Sequence, residues 1–292
     1  MELSWLMKLR IAAAAATGVV LVGILAWLLA APAEPIGAIS NGGAVPLLAL
    51  AFLAGLIGYF VSWPYGREIG VLAAPSGLAI WAVRSGSMAA LMQLNPTITQ
   101  RQALLGTLRW EPIFWLVVVA AGFAGVLLGQ KIRPSPKPNK TQAKSNSKSG
   151  NYLNAVIAVV GSGFIAQFFI RTFAQDVSMS DNGLDSVMSQ PAVGQIVFAV
   201  LVSFGLAAFV VKKFLDASYI WPTMASALVT SFFVSAYVRQ VPYVVQSWPA
   251  TFFSNAVVSI LPVQMVAFGT LGSIAGYWMA VRYGCWRKHE TK

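Results

Sequence analysis

The sequence predicts an all-α, polytopic integral membrane protein with about eight transmembrane helices, arranged as a parallel tandem repeat of four plus four. Three observations support this prediction: long apolar runs, basic residues confined to particular loops, and glycines repeated at a fixed spacing. Of the 292 residues, 57% are hydrophobic and only 10% are charged. A soluble domain carries about 25% charged residues because its surface must face water. Most of the surface of this chain is therefore expected to face lipid.

The apolar runs have the length of membrane-spanning helices. A hydrocarbon core about 30 Å thick requires about 20 apolar residues at a rise of 1.5 Å per residue. Seven runs meet this requirement: 11–31, 44–63, 112–129, 152–172, 192–211, 218–238 and 255–281. An eighth run, 69–92, is interrupted by Pro75, Gly77 and Arg84. We count it as one crossing because the charges of the flanking loops then agree.

The loop charges predict the orientation in the membrane. Segment 130–150 contains six Lys or Arg residues and no acid, whereas loop 174–191 contains three Asp residues and no Lys or Arg. Basic loops are retained in the cytoplasm. We therefore expect segment 130–150 and both termini to be cytoplasmic and loop 174–191 to lie outside.

The first apolar run permits two interpretations. Lys8 and Arg10, the run itself and then Ala31-Pro32-Ala33 have the layout of a cleavable signal peptide. A run of about 20 residues is long for the hydrophobic region of such a peptide. A retained helix is favoured, and cleavage of residues 1–33 stays open as the alternative.

A basic linker divides the chain into two predicted halves. Segment 130–150 is rich in Pro, Ser and Lys and has too few apolar residues to bury a core. The halves are then 1–129 and 151–292, with four transmembrane helices each. Such a basic run beside a membrane helix can recruit anionic lipid, although fixing the orientation is the favoured role.

Glycines recur at the same spacing in the last predicted helix of each half. The two sets lie 147 residues apart and are Gly122, Gly125, Gly129, Gly269, Gly272 and Gly276. At the same offset Gly58 aligns with Gly205 and Pro75 with Pro222. This self-similarity predicts the tandem repeat. Because small residues let helices approach closely in lipid, we expect the six glycines to pack helices together rather than bind a ligand.

The third helix of each half carries candidate functional residues. Proline removes a backbone donor and frees a carbonyl, and helices interrupted at matching positions are typical of transporter binding sites. In the second half, hydroxyl groups recur at helical spacing along one face. Hydrogen bonds to neighbouring helices or to their own backbone are the favoured role of these hydroxyls, and a path for a polar substrate is the alternative. The candidate substrate-binding residues are Pro75, Ser76, Gly77, Arg84, Thr223, Ser226 and Thr230.

Arg84 is the ionisable residue predicted to lie well inside a span. A charge at the bilayer centre costs at least about 2.5 kcal/mol. The favoured interpretation is that Arg84 extends towards the outer interface and pairs with Glu111. The alternative is that it contacts an anion in a cavity.

Segment 99–110 is predicted to be a surface helix on the outer face. Thr99-Gln100-Arg101-Gln102 matches a capping box, in which the first and fourth residues satisfy the free amides at a helix start. Three leucines share one face of this helix. Arg101 and Arg109 are expected to reach water.

The sequence gives little support to an enzyme. All Asp and Glu residues lie in predicted tails, loops or interfaces, and the only Cys and His residues are Cys285 and His289. No phosphate-binding loop or metal-ligand cluster is found in the sequence. We therefore expect no catalytic activity, metal or cofactor. Nucleic acid is not expected as a partner, because most of the basic residues that give the net charge of +11 lie in the predicted cytoplasmic segments.

Two function classes remain. The first is a secondary transporter or translocation pore for a small or amphiphilic solute, with a cavity between the third helices of the two halves. The second is a non-catalytic structural or assembly subunit that packs against other membrane proteins through its glycine faces. The lipid bilayer is the expected partner in both cases.

Overall fold

The computed structural model describes residues 4–30, 41–134, 148–175 and 177–290. The predicted signal-peptide cleavage site at residues 31–33 and most of the basic linker lie outside the described residues.

The described part of the chain is mostly helical. Its first eight helices are α1 (Trp5–Gly18), α2 (Ala26–Ala30), α3 (Asn41–Val61), α4 (Gly66–Ile69), α5 (Ala73–Arg84), α6 (Met88–Leu94), α7 (Ile98–Leu108) and α8 (Glu111–Ile132). The following elements are α9 (Lys148–Phe173), β1 (Ser178–Asp181), β2 (Asp185–Ser189), α10 (Val193–Leu215), α11 (Ile220–Ser247), β3 (Phe252–Phe253) and α12 (Pro262–Glu290). A π-helical segment, Val19–Leu25, joins α1 to α2, and a 3-10 turn, Gly70–Leu72, joins α4 to α5.

Among the described residues, six helical segments are long and apolar enough to cross a membrane. They are Trp5–Ala30, Gly43–Val61, Ile98–Ile132, Tyr152–Phe173, Val193–Leu215 and Ile220–Ser247. A seventh crossing is obtained if Gly66–Arg84 and Met88–Leu94, which are bent by 45° relative to each other, form one span. This set of helices is that of a multi-pass membrane protein.

The predicted span 255–281 is not one of these segments among the described helices. Residues 255–260 form consecutive turns, in which the Val257 amide donates to Asn255 Oδ1 at 2.9 Å and the Val258 amide donates to Asn255 O at 3.1 Å. Helix α12 begins only at Pro262. It carries buried polar residues among its apolar ones, which lowers its hydropathy. The prediction was therefore wrong about where this helix begins.

The chain forms two compact units. Unit 1 consists of Met1–Ser85 and Leu116–Lys148, and unit 2 consists of Gly86–Trp115 and Ser149–Lys292. The predicted halves, 1–129 and 151–292, stay a prediction. Helices α6 and α7 belong to unit 2, where α7 packs against α11.

In unit 1, α8 approaches its neighbouring helices closely because its glycines lie directly against their backbone and side-chain atoms. A Cβ at Gly122 would overlap the Ala74 side chain on α5, and a Cβ at Gly125 would overlap the Phe52 carbonyl on α3. A Cβ at Gly129 would lie 2.7 Å from the Tyr59 ring, also on α3. These three glycines let α8 pack against α3 and α5.

In unit 2, α12 makes the corresponding contacts with α10 and α11. A Cβ at Gly269 would lie 2.9 Å from the Ser226 Cβ on α11. Cβ atoms at Gly272 and Gly276 would overlap the carbonyls of Leu201 and Gly205 on α10. Most of α12 from Pro262 to Ile274 is buried.

A three-stranded antiparallel sheet departs from the predicted all-α structure. Strands β1 and β2 form a hairpin in which Ser178 pairs with Met188, and Met188 also pairs with Phe253 of β3. The sheet lies in loop 174–191 and in the segment after α11. The sequence carried a hairpin signal at Asn182-Gly183, between the two strands.

The Asp181 carboxylate joins this hairpin to the end of α11. It accepts hydrogen bonds from the Gly183 and Leu184 amides at 3.0 Å each, from the Tyr243 hydroxyl at 3.0 Å and from Trp248 Nε1 at 3.2 Å. Partial desolvation raises the pKa of Asp181, but these hydrogen bonds outweigh it and hold the pKa below its ordinary value.

Candidate functional site

Pro75 and Pro222 both lie in the first turn of a helix. Pro75 is the third residue of α5, and Pro222 is the third residue of α11. Amides in the first turn have no acceptor within their own helix, so proline costs no hydrogen bond there. Pro222 therefore frees no carbonyl in the middle of α11, whereas Pro75 follows the 3-10 turn Gly70–Leu72 inside the helical segment Gly66–Arg84.

Ser76 and Gly77 are used in packing within unit 1. Ser76 Oγ donates to the Leu72 carbonyl at 2.6 Å, one turn earlier. A Cβ at Gly77 would overlap the Gly18 carbonyl at the end of α1. Gly77 therefore permits the close contact between α5 and the first helix.

The hydroxyl groups on α11 donate to their own helix. Thr223 Oγ1 donates to Tyr219 O at 3.0 Å, Ser226 Oγ to Thr223 O at 2.7 Å and Thr230 Oγ1 to Ser226 O at 2.8 Å. All three side chains are buried in unit 2. This is the arrangement that the favoured packing interpretation predicts, although each hydroxyl oxygen keeps lone pairs that can accept a further hydrogen bond.

Arg84 lies in an aromatic cluster of unit 1 and is exposed. Its Nη1 donates to the Gly23 carbonyl at 3.2 Å, and its guanidinium lies 5.7 Å from the centre of the Trp27 ring. Trp27 in turn contacts Trp81 edge-on, with 4.8 Å between ring centres. Within unit 1 the hydrogen-bond partner of Arg84 is thus a backbone carbonyl, and its pairing with Glu111 stays a prediction.

The Gly23 carbonyl belongs to the π-helical segment Val19–Leu25. A π-helix is a wider turn that departs from the regular bonding pattern, and it occurs frequently at functional sites. Arg84 therefore contacts the first membrane helix where that helix is irregular. No sequence pattern predicts this segment, because its residues are as apolar as those of the helix around it.

The break between α5 and α6 is the second irregular point. Gly86 has a φ of 81°, a left-handed conformation that glycine adopts without strain. The Gln264 amide, which is completely buried, donates to Gly86 O at 3.1 Å. The Ala89 amide donates to Gln190 Oε1 at 3.0 Å, and Gln190 Nε2 donates to Ser259 O at 3.0 Å.

These two glutamines satisfy backbone groups that the break leaves without helical partners. A buried backbone group without a partner is costly, and in a membrane such groups must be satisfied by protein. Gln264 lies inside the predicted span 255–281, where a single polar residue predicts no particular partner. Gln190 was missed, because nothing in the sequence connects it with residues a hundred positions earlier.

Helix α7 starts earlier than predicted, and it buries Arg101. Thr97 and Gln100 form the capping box, instead of Thr99 and Gln102. Arg109 is exposed as predicted, whereas only 6% of Arg101 is exposed. The expectation that Arg101 reaches water was wrong because α11 packs against α7.

Among the described residues, no group of three or more His, Cys, Asp or Glu side chains could hold a metal ion. The apolar helices place the chain in the class of multi-pass membrane proteins. Comparison with family models, with curated proteins and with solved structures found no match.

Proposed function

We propose that the chain is a secondary transporter or translocation pore for a small or amphiphilic solute. The observation that carries the proposal is the helix break at Gly86, where a bent pair of helices leaves the regular path. The buried Gln264 amide and the half-buried Gln190 amide bond to the backbone there. In membrane proteins, non-helical backbone is tolerated where it is buried in protein or lines a water-filled cavity. Interrupted helices of this kind are typical of transporter binding sites.

The proposal includes eight crossings in two parallel halves, with both termini cytoplasmic. It is supported by matching contacts of the repeated glycines. Gly122 and Gly269 meet a small side chain on the third membrane helix of their unit, and Gly125 and Gly272 meet a carbonyl on the second. In this arrangement α12 is the eighth crossing, and its polar residues are tolerated because unit 2 encloses it.

Arg84 is the proposed contact for the solute in unit 1. Among the described residues, its guanidinium has one hydrogen-bond partner, the Gly23 carbonyl, so further donors are available to an anionic group. Thr223, Ser226 and Thr230 are the proposed contacts in unit 2, through their remaining lone pairs. Pro75, Ser76 and Gly77 support these helices by packing. No catalytic step, metal or cofactor is part of this proposal.

The test is water access to the middle of α11. In a Cys285→Ser background, Thr230→Cys is treated in proteoliposomes with a charged thiosulfonate, which reacts with thiols exposed to water. We expect modification of Thr230→Cys and of an exposed-turn variant, Asn182→Cys. Phe232→Cys, at a position that is 68% exposed on the outer surface of the same helix, is the lipid-facing control and should not react. Protection of Thr230→Cys equal to that of Phe232→Cys would contradict a solute path along α11.

The second candidate is a non-catalytic assembly subunit. The observation favouring it is that Thr223, Ser226 and Thr230 each already donate to their own helix, as expected for a solidly packed interior. Under this hypothesis Thr230→Cys is protected, and purification in mild detergent recovers other membrane proteins in fixed stoichiometry. Recovery of the chain with lipid alone would count against it.

A further inference from the structure

Arg101 is a buried cation whose charge is not neutralised within the described structure. Only 6% of the residue is exposed, and Nε donates to the Asn95 carbonyl at 2.9 Å. Its Nη1 and Nη2 atoms have no hydrogen-bond partner among the described residues. Among the described residues, the one ion pair joins Lys212 and Asp216 and does not involve Arg101.

Burial of an unpaired arginine is unfavourable. Taking the charge out of water is costly, and the cost remains after the surroundings have relaxed. Buried charges in proteins are therefore normally paired. The geometry around Arg101 points to a partner that comes from outside the described chain.

A second buried polar group without a hydrogen-bond partner lies on α11, the helix that packs against α7. Tyr237 of α11 is 2% exposed, and its hydroxyl has no hydrogen bond among the described residues. The Arg101 charge acts on Tyr237 across the contact between α7 and α11. Some unpartnered polar atoms of the described chain are completely buried, but those of Arg101 and Tyr237 are not among them. Both groups therefore keep a small exposed area.

The surroundings of this pair provide further donors and a rigid support. The Tyr237 ring lies 6.3 Å from the ring of Phe253, which is completely buried in strand β3. One helical turn beyond Tyr237, Gln240 Oε1 accepts from Ser254 Oγ at 2.5 Å. That bond fixes the amide and leaves its NH2 group as a donor.

We propose that Arg101 and Tyr237 form a binding site for a phosphate group at the sheet-bearing end of unit 2. A guanidinium, a phenol and an amide NH2 all donate, so the site is complementary to an oxyanion, and a guanidinium can hold a phosphate through two parallel hydrogen bonds. The phosphate is that of a lipid head group or a free phosphate ion. The inference does not depend on the transport proposal, since a structural subunit can hold lipid in the same way.

Ligand-induced stabilisation tests the proposal. The full-length protein is delipidated in maltoside detergent, and its thermal unfolding midpoint is measured against inorganic phosphate and dihexanoyl phosphatidylglycerol. Dihexanoylglycerol, which has the same chains without phosphate, is the control. Because a ligand that binds only the folded state stabilises it by mass action, we expect a saturable rise of the midpoint with a phosphate-containing probe and none with the control. A rise with both phosphate probes indicates a site for the free ion, and a rise with the lipid alone indicates a head-group site.

Variants separate a binding role from a structural one. Tyr237→Phe should unfold like the parent without ligand, because its hydroxyl has no partner in the described chain, yet it should weaken the apparent Kd roughly 3- to 10-fold. Arg101→Lys keeps the charge but loses the planar pair of donors, and should weaken binding by roughly tenfold or more. Arg109→Gln, at an exposed position of the same segment, should bind like the parent.

Three results would overturn the proposal. They are the absence of a midpoint shift with either phosphate probe, an equal shift with dihexanoylglycerol, and parental affinity in both Tyr237→Phe and Arg101→Lys. If Arg101→Lys fails to fold, Tyr237→Phe alone decides the outcome.

Discussion

The buried amide of Gln264 donates a hydrogen bond to the carbonyl of Gly86 at 3.1 Å, although the two residues are separated by 178 positions in the chain. Gln264 Oε1 also accepts from the Leu261 amide at 3.2 Å. One side chain thereby hydrogen-bonds to a backbone carbonyl in the break after α5 and to a backbone amide in the turn that precedes α12. The break is thus stabilised by tertiary contacts rather than by local sequence.

Replacement of Gln264 by leucine should destabilise unit 2. The substitution leaves the buried Leu261 amide without this partner, which costs about 1–3 kcal/mol, and removes the bond to the exposed Gly86 residue. The free energy of unfolding, measured by denaturation in mixed detergent micelles, should fall accordingly. Gln246→Leu, at an exposed position of α11, is the matched control. Equal stability of Gln264→Leu and the control would show that the break does not depend on this amide.

The close contact between α12 and α10 should not tolerate a methyl group. A Cβ at Gly276 would overlap the Gly205 carbonyl, which is backbone and cannot rotate away. We expect Gly276→Ala to destabilise the protein by about 1–3 kcal/mol, as overpacked positions do. Unfolding in mixed micelles again measures the effect.

Gly161→Ala provides the contrast within helix α9. A Cβ at Gly161 meets no atom within 4 Å. Alanine there should be neutral or stabilising, by up to about 1 kcal/mol, because it has the higher helix propensity. Similar losses at both positions would contradict the assignment of Gly276 to a close helix contact.

The hairpin should weaken in acid because of Asp181. Its pKa is lowered from the ordinary value of 3.8 in the folded protein. A carboxyl group with a depressed pKa contributes stability above its unfolded-state pKa, and the contribution is lost as the pH falls through the folded-state pKa. The thermal midpoint of the parent should therefore fall below about pH 4. The midpoint of Asp181→Asn should depend less on pH in this range, and identical pH profiles would argue against the hydrogen bonds to Asp181.

Contact of Arg84 with the π-helical segment should be specific for a guanidinium. Arg84→Lys keeps the charge but cannot reproduce both the bond to the Gly23 carbonyl and the stacking over Trp27. We expect a change in Trp fluorescence for Arg84→Lys and none for Arg171→Lys, at an exposed position. An unchanged spectrum in both variants would remove the support for this cluster.

The membrane helices could be predicted from the sequence because length and apolar composition alone define them. Helix starts were harder to predict. Proline is equally compatible with the first turn of a helix and with an interruption, so the positions of Pro75 and Pro222 depended on where α5 and α11 begin. The burial of Arg101 depended on α11, more than a hundred residues away, and local amphipathicity suggested the opposite.

The candidate site was predicted only in part for the same reason. Arg84 was identified because a charge in an apolar run is unusual, but its carbonyl partner lies in a π-helical turn that has no sequence signature. Gln190 and Gln264 look like ordinary polar residues in the sequence. Their hydrogen bonds to the break at Gly86 form only in the folded structure. Hydrogen bonds over such sequence separations follow from the packed fold, which a pattern of hydrophobicity does not specify.

The most direct test of the account is the sidedness of the linker. In a Cys285→Ser background, Lys144→Cys and Asn182→Cys are exposed to a membrane-impermeant maleimide in intact cells. Eight crossings with cytoplasmic termini predict labelling of Asn182→Cys in intact cells and labelling of Lys144→Cys only after permeabilisation. Labelling of Lys144→Cys in intact cells would contradict the proposed arrangement of the chain in the membrane.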